Sequence, residues 1–295
     1  MFQNILGNSK IKDLLKETIR NDKISHSYMF IGKSGIGKKM IAEEFAKAIL
    51  CLSDDKYCNN CKSCIEFDGK NNPDFSIIEP DGNIIKIDQI REMQKGVQEK
   101  PIISNRKVYI INNADKMKRE AQNALLKTLE EPPEFVTIIL IGENENEFLT
   151  TIKSRCMILH FMPISNDEIE DFLNRNYGMN VTSNMLEVFQ GSIGKAIELK
   201  SKEEEYLKIE QAINSLESEN LIDLINNLDI LYISKDEILD MLDYINIILL
   251  RKSRENVKYT GCIKIVENTK RRITQNANYD MSIDNMLFNI WEEVV

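Results

Sequence analysis

The fold class is decided by the stretch Tyr28-Met29-Phe30-Ile31-Gly32-Lys33-Ser34-Gly35-Ile36-Gly37-Lys38-Lys39, where an apolar run leads into a glycine-rich loop. The run has the composition of a buried strand, and the residues after the loop follow a helical pattern. A G-x-x-x-x-G-K spacing between a strand and a helix is typical of a phosphate-binding loop. Gly32, Gly35 and Gly37 would let backbone N–H groups turn toward an anion, and Lys38 would reach the terminal phosphates. We therefore predict a P-loop nucleotide-binding fold.

Three positions that serve Mg²⁺ and water in a hydrolytic P-loop protein carry unsuitable side chains. The residue after Lys38 should offer a hydroxyl to Mg²⁺, but it is Lys39, whose ammonium cannot coordinate a cation. The strand predicted at 108–111 should end in an acidic pair, but Asn112 and Asn113 follow it, and neutral amides are poor bases. Asp115 lies too far along the chain to replace Asn112 directly.

These departures argue against ATP hydrolysis and against ATP and Mg²⁺ as cofactors of this chain. Two interpretations of the loop remain. It binds a nucleotide or another anion weakly without Mg²⁺, or its glycines serve only the tight turn between strand and helix. We favour the second.

Short β-branched runs alternate with helical patterns in the first part of the chain. The predicted strands are Tyr28–Gly32, Phe75–Glu79, Lys107–Asn112, Val136–Ile141 and Met157–Phe161, and the predicted helices are Ser9–Asn21, Ile41–Leu50, Ile87–Glu99 and Arg119–Leu129. Strands interleaved with helices favour an α/β fold with a doubly wound parallel sheet.

The pattern becomes entirely helical after Pro163, the last proline of the sequence. Helices are predicted at Asp167–Asn176, Thr182–Phe189, Glu203–Leu216, Leu221–Leu228, Lys235–Arg254, Cys262–Gln275 and Ile283–Glu293. Ser165 or Asn166 would cap the first of them. The segment Ile238–Leu250 is apolar on most sides and should be buried within a bundle. We therefore divide the chain into an α/β domain at 1–162, a small helical domain at 163–205 and a helical bundle at 206–295.

Composition and charge exclude several classes of function. No apolar run reaches the roughly 18 residues that span a bilayer, and the amino terminus lacks the basic and apolar regions of a signal peptide. We expect a cytoplasmic protein with no membrane association. The net charge of −9 excludes broad attachment to nucleic acid, although a local basic patch remains open. The candidates for such a patch are Arg251, Lys252, Arg254, Lys258, Lys264, Lys270, Arg271 and Arg272, for which a solvated helix face is the plainer interpretation.

Four of the six cysteines are clustered, as Cys51-x6-Cys58-x2-Cys61-x2-Cys64, in a polar and loop-like stretch. In a reducing compartment such a cluster indicates a metal site rather than disulfides. Four thiolates satisfy tetrahedral Zn²⁺ and leave no open position, so the predicted site is structural. Free cysteines and an iron–sulfur cluster are the alternatives, and nothing else in the sequence suggests redox chemistry.

Arg155 directly precedes the predicted strand Met157–Phe161, within Ser154-Arg155-Cys156. An arginine at the edge of a P-loop domain either pairs with a nearby carboxylate or projects into another subunit's site, where its fork of donors stabilises a transferring phosphoryl group. From spacing alone the ion pair is favoured.

Together these features resemble the bacterial replicative clamp loader, an AAA+ assembly. The matching stretches are His26-Ser27-Tyr28-Met29-Phe30, the P-loop, the four-cysteine module, Ala124-Leu125-Leu126-Lys127-Thr128-Leu129-Glu130-Glu131-Pro132-Pro133 and Ser154-Arg155-Cys156. The resemblance extends to about residue 205, and the helical remainder has a suitable length for the family's collar. It implies an AAA+ core at 1–162 with a zinc module at 51–64, a helical lid at 163–205 and an oligomerisation collar at 206–295.

The family contains a motor subunit, gamma/tau, and a related delta-prime subunit that does not hydrolyse ATP. Where the motor has Thr, an Asp-Glu pair, a polar sensor and a lid arginine, this chain has Lys39, Asn112-Asn113, Gly142-Glu143 and Gly194. It keeps Arg155, which the family presents in trans to ATP on the adjacent motor subunit. The resemblance therefore implies the delta-prime pattern, a non-hydrolysing stator.

The implied assembly is a DNA polymerase III hetero-oligomer with gamma/tau and delta subunits, which contacts the sliding clamp and primer-template DNA. One alternative is an ATP-hydrolysing gamma/tau-like motor that uses unconventional Mg²⁺ ligands such as Asp115. The other is a stand-alone nucleic-acid adaptor that uses the basic stretch at 251–272.

Overall fold

A computed structural model describes residues 1–179, 181–218 and 220–295. These residues form two compact units, one of 1–168 with 192–194 and the other of 169–191 with 195–295. The first unit comprises the predicted α/β region together with a short piece of the Gly-Ser-x-Gly segment. The further division of the helical region at residue 205 stays a prediction.

Within the described residues of the first unit, five strands form one parallel sheet. They are β1 (Ser27–Ile31), β2 (Phe75–Ile78), β3 (Lys107–Ile111), β4 (Val136–Gly142) and β5 (Met157–His160), in the order β2-β3-β4-β1-β5. The register places Tyr28 of β1 opposite Ile139 of β4 and Met157 of β5. Every residue of β1, β3 and β4 is buried, as expected for central strands covered on both faces. The predicted strands and the doubly wound α/β class are confirmed.

Helices cover both faces of this sheet. They are α1 (Ser9–Arg20), α2 (Lys38–Leu50), α3 (Lys62–Asp68), α4 (Ile87–Val97), α5 (Arg119–Glu130) and α6 (Thr150–Lys153). Alternate residues of β1 point to opposite faces, so Phe30 packs in one apolar core with Phe45 of α2, and Met29 packs in the other with Leu125 of α5. The cysteine stretch is not entirely a loop as predicted, because α3 begins directly after Cys61.

The remaining elements are all helical. They are α7 (Asn166–Tyr177), α8 (Ser183–Phe189), α9 (Ile193–Lys200), α10 (Glu203–Asn214), α11 (Leu221–Asn227), α12 (Ile230–Ile233), α13 (Ile238–Ser253), α14 (Tyr259–Thr274) and α15 (Tyr279–Val294). Ser165 caps α7, since its hydroxyl oxygen accepts from the Glu168 N–H and donates to the Glu168 carboxylate. In the part of the chain that the structure describes, no helix is both long and apolar enough to cross a membrane.

Three predicted helix starts in the helical region were wrong by three residues or more. The helix predicted from Lys235 starts at Ile238, because residues 235–237 form a 3₁₀ turn. α14 and α15 begin earlier than the predicted Cys262 and Ile283. For α15 the reason is a cap, because the Asn278 side chain accepts from the backbone N–H of Met281 at 3.0 Å. The predicted burial of the segment at 238–250 is confirmed for most of its residues.

Candidate functional site

The glycine-rich loop lies where the sequence predicts, between the carboxyl end of β1 and the start of α2. Gly35 and Gly37 have φ angles of 72° and 90°, which a residue with a β-carbon rarely adopts. The loop is tied to the sheet at its start, where the Gly32 N–H donates to the Gly142 carbonyl at 3.2 Å. Gly142 itself belongs to β4 and does not follow it. These features preserve the strand–loop–helix geometry of a phosphate-binding loop.

The Lys38 ammonium is folded back onto this loop. Its Nζ donates to the carbonyl oxygens of Gly32 and Lys33, both at 2.5 Å, and the residue is only 6% exposed. Burial lowers the pKa of Lys38, and the nearby carboxylates of Glu143 and Asp115 partly oppose that effect. The charge that would meet a terminal phosphate is therefore satisfied by the chain's own backbone.

Lys39, at the position of the missing hydroxyl, forms an ion pair that the sequence analysis did not anticipate. Its Nζ lies 2.6 Å from Oε1 of Glu79, the residue directly after β2. The Asn112 side-chain amide donates to the same oxygen at 3.3 Å. The hydrogen bond from Lys39 lowers the pKa of Glu79, so that carboxylate is ionised at neutral pH. The neighbouring strands β2 and β3 are parallel, so the residues that follow them, Glu79 and Asn112, come together at the carboxyl end of the sheet. A correct prediction of the strand order would therefore have indicated this contact.

Asn113 and Asp115 lie close to this edge but have other local roles. Asn113 adopts a left-handed conformation, with a φ angle of 49°, and starts a 3₁₀ turn. Oδ2 of Asp115 accepts from the Glu143 N–H after β4, at 3.1 Å. Among the described residues, Oδ1 of Asp115 is buried without a hydrogen-bond partner. Asp115 thus faces the end of β4.

Residues 192–194 of the Gly-Ser-x-Gly segment pack directly on the glycine-rich loop. The backbone N–H of Gly194 donates to the Gly35 carbonyl at 3.0 Å. A β-carbon at position 194 would lie 3.0 Å from the Gly35 Cα, and a β-carbon at position 35 would lie 2.0 Å from the Ser192 hydroxyl oxygen. The absence of the lid arginine at position 194 therefore accompanies close packing of backbone on backbone.

Arg155 lies at the amino ends of the strands, whereas the loop lies at their carboxyl ends. It precedes the amino end of β5, and its carbonyl accepts a hydrogen bond from the hydroxyl of Ser27, the first residue of β1. Nη2 of Arg155 lies 3.0 Å from Oε1 of Glu130, and Nη1 donates to the Thr151 carbonyl at 2.9 Å. The side chain is 34% exposed. The ion pair favoured from spacing is present, and the Arg155 side chain remains partly exposed.

The four cysteines predicted to bind metal come together at the end of α2 and the start of α3. Their Sγ atoms all lie within 4.8 Å of one another, and Cys51 Sγ is 3.5 Å from Cys58 Sγ and 4.0 Å from Cys61 Sγ. Tetrahedral Zn–S bonds of about 2.3 Å place sulfur atoms roughly 3.8 Å apart. The spacing of the cluster therefore suits zinc.

Backbone N–H groups favour the thiolate form at two of the four cysteines, whereas burial raises the pKa of a third, Cys64. The N–H of Cys61 donates to Cys58 Sγ at 3.4 Å, and a hydrogen bond from the Asn60 N–H is the main cause of the lowered pKa of Cys58. Burial alone raises the pKa of Cys61, but hydrogen bonds from the N–H groups of Leu52 and Cys64 bring it down to about 6. Metal coordination requires deprotonated sulfur, so the donor set also fits Zn²⁺.

Much of the basic stretch at 251–272 is engaged within the helical unit. Lys270 pairs with Asp243 and Glu267, and Arg251 donates to the Ser183 hydroxyl. Arg271 and Arg272 are exposed in the last turn of α14, where cations complement the helix dipole. This arrangement fits the solvated helix face better than a nucleic-acid patch.

The known proteins similar to this chain include subunits of DNA polymerase III. Residues 7–165 match the sequence profile of the family described as DNA polymerase III, delta subunit. DNA polymerase III subunit delta' of Bacillus subtilis is 36% identical over 196 residues, which are 66% of this chain and 60% of the relative. DNA polymerase III subunit tau/gamma of Haemophilus influenzae is 33% identical over 174 residues, 58% of this chain and 25% of the relative. The chain thus matches less than two thirds of the length of either relative.

Among solved structures, a DNA polymerase III gamma subunit-related protein from Thermotoga maritima covers 95% of this chain and 99% of its own length. The sequence identity is 19% and the TM-score is 0.49, a likeness too distant to support any conclusion about function.

Proposed function

The chain belongs to the DNA polymerase III, delta subunit family, and we propose that it acts there as a non-hydrolysing clamp-loader subunit of the delta-prime type. In this role it is a stator between gamma/tau-type motor subunits and a delta subunit, in a complex that places a sliding clamp on primed DNA. Its contribution to catalysis is Arg155, offered in trans to ATP on the adjacent motor subunit. We assign residues 163–205 to a lid and 206–295 to a collar that joins the hetero-oligomer.

The observation that carries this proposal is the position of Arg155 relative to the glycine-rich loop. Ser27, at the amino end of β1, holds the Arg155 backbone, whereas the loop starts after the carboxyl end of the same strand. A five-residue strand spans roughly 16 Å, so the guanidinium is remote from its own loop. A partly exposed arginine in this position can approach a phosphate only on another chain. There its planar fork would stabilise charge on the transferring phosphoryl group.

The chain's own loop supports the non-hydrolysing half of the proposal. Lys39 and Glu79 form an ion pair near the place of a metal, and Asn112 contributes an amide where a carboxylate is needed. The Lys38 ammonium is occupied by loop carbonyls. Phosphoryl transfer relies on a metal that bridges the phosphate oxygens and on a group that orients water, and this loop offers neither.

The cysteine module would hold one structural Zn²⁺ through Cys51, Cys58, Cys61 and Cys64. Four sulfur ligands leave no open position for water or substrate, so the ion would stabilise the fold and take no part in hydrolysis. Its role would be to connect the end of α2 to α3, a region with few buried apolar side chains of its own.

The proposal is tested in the complex reconstituted with gamma/tau and delta subunits. Arg155→Ala should lower single-turnover ATP hydrolysis at the neighbouring motor site by roughly 10³–10⁵-fold. Because the ion pair with Glu130 is exposed, its loss should cost no more than about 1 kcal/mol of stability, and the complex should still assemble. Arg175→Ala is the control, since Arg175 is an exposed arginine that likewise lies close to a carboxylate, 2.9 Å from that of Asp171.

The outcomes separate the alternatives. If the complexes with Arg155→Ala and Arg175→Ala hydrolyse ATP at the same rate, Arg155 does not act in trans. Lys38→Ala should leave turnover unchanged, because this chain's own loop is not the hydrolytic site. ATP hydrolysis by the pure chain alone would instead support a gamma/tau-like motor. Salt-sensitive DNA binding by the isolated chain would support the nucleic-acid adaptor.

A further inference from the structure

Lys47 is a buried cation that neither the glycine-rich loop nor Arg155 uses. It lies on α2, one helical turn before Cys51, and its side chain is only 9% exposed. Burying a lysine is unfavourable unless its charge is paired and its three donors are satisfied. Its partners therefore indicate what the burial achieves.

The Lys47 ammonium contacts the loop and the helix that carry Cys58, Cys61 and Cys64. Nζ donates to Oδ1 of Asn59 at 2.7 Å and lies 2.7 and 2.8 Å from the two carboxylate oxygens of Asp68. It also lies 5.1 Å from the centre of the Tyr57 ring, within the range of a cation–π interaction. Asp68 ends α3, while Tyr57 and Asn59 belong to the loop before it. One ammonium thus connects the three segments that carry the four cysteines.

The loop that Lys47 contacts is conformationally unfavourable. Tyr57 and Asn59, on either side of Cys58, have φ angles of 72° and 61°. Asparagine tolerates the left-handed region, but tyrosine adopts it only where surrounding contacts hold it there. Both of these side chains contact Lys47, so the ammonium supports the backbone turn that directs Cys58 toward the other thiols.

The other half of the cluster is anchored separately. The Ser104 hydroxyl donates to the Leu50 carbonyl and also bonds the Ser63 hydroxyl, next to the ligands Cys51 and Cys64. Those two cysteines are buried, whereas Cys58 and Cys61 are partly exposed. Protein contacts alone therefore fix one pair of thiols, while the second pair depends on the loop.

We propose that Lys47 is a positioning residue for the zinc site, which presets the loop at 57–61 so that four thiolates converge before the ion binds. The inference rests on the proposed zinc site and is independent of the clamp-loader role. Groups that orient metal ligands typically contribute 10- to 100-fold to metal affinity.

The test compares Lys47→Met with Lys62→Met in the full chain. Lys62 lies in the same module and its loss changes the net charge equally, but its side chain is exposed and only 3.9 Å from Glu66 in a loose pair. Zinc content is measured first, and then the rate of zinc transfer to a chromogenic chelator. Lys47→Met should lose zinc roughly 10- to 100-fold faster than wild type, and Lys62→Met should match wild type.

Asn59→Gly keeps the left-handed turn accessible and removes only the amide that Lys47 binds, so it serves even if Lys47→Met does not fold. It should also speed zinc loss, and combining the two substitutions should add less than their separate effects. If wild type holds one zinc, and Lys47→Met and Asn59→Gly lose it no faster than Lys62→Met, the role of Lys47 is overturned but the zinc site stands. A wild-type chain that takes up no zinc overturns the metal site and this inference together.

Discussion

Magnesium-ATP should leave the thermal unfolding of the isolated chain almost unchanged. A nucleotide must release Lys38 from two carbonyls and break the hydrogen bond between Gly194 and Gly35. Bonds from a charged donor contribute about 1.5–3 kcal/mol each and a neutral one about 0.5–1.5 kcal/mol, so opening costs roughly 4–7 kcal/mol. At about 1.4 kcal/mol per tenfold, affinity falls by about 10³–10⁵. A loop that would bind ATP with a micromolar Kd when open should therefore, when closed in this way, bind it with a Kd of about 1 mM or weaker.

The Tm of the chain, measured by thermal unfolding with and without nucleotide, tests whether the loop is closed. At about 1 mM ATP a micromolar site stabilises the folded state by about 4 kcal/mol, whereas a millimolar site gives roughly 0.4 kcal/mol or less. For a domain of this size the two cases correspond to shifts in Tm of about 8–16 °C and about 1–2 °C. A gamma/tau-type motor subunit is the positive control. A large upward shift that requires Mg²⁺, seen in this chain alone, would refute the closed loop.

Three further perturbations test other contacts of the structure. Burial lowers the pKa of Lys38, so between the lowered value and 10.5 the unfolded chain binds that proton more tightly than the folded chain. The free energy of unfolding of wild type should therefore rise relative to that of Lys38→Met as the pH rises toward 10.5. An equal difference between the two proteins in urea at about pH 8 and at about pH 10 would contradict this. Gly194→Arg should lower the free energy of unfolding by about 1–3 kcal/mol, since its β-carbon would press on the Gly35 backbone; a variant as stable as wild type in urea would show that the contact yields freely. Removing zinc with a chelator should speed amide hydrogen exchange at 51–68 and leave β1 and β4 protected; equal exchange before and after treatment would mean that the ion does not brace the module.

The sheet was predictable because its signal is local. Each strand is a short β-branched run bounded by polar residues, so β3 was located within one residue by Lys107–Asn112. α3 was missed because its seven residues are too few to show a repeating apolar face. α15 began earlier than predicted because the cap at Asn278 was not recognised ahead of the apolar pattern.

In the candidate site, too, the features with a local sequence signal were predictable and the long-range contacts were not. Loop glycines, cysteine spacing and Arg155 could be located from the sequence, because each lies in a short stretch of recognisable chemistry. The partner of Lys39 could not, since 40 positions separate it from Glu79 and only the strand order brings them together. The contact of Gly194 with Gly35 was equally hidden, because two glycines far apart in the sequence give no sign that their backbones meet.

The replacements in the loop depend on one another through Glu79. Its Oε1 accepts from both the Lys39 ammonium and the Asn112 amide. An aspartate at position 112 would set a second carboxylate about as close to Glu79 as the present amide, and two carboxylates at that distance cannot both ionise without a cation between them. Lys39 supplies that cation from within the chain, and Asn112 removes the second negative charge. The Glu79 carboxylate is therefore compensated within the chain and is not free to attract Mg²⁺, and restoring Asp at 112 alone should not restore the metal site while Lys39 remains.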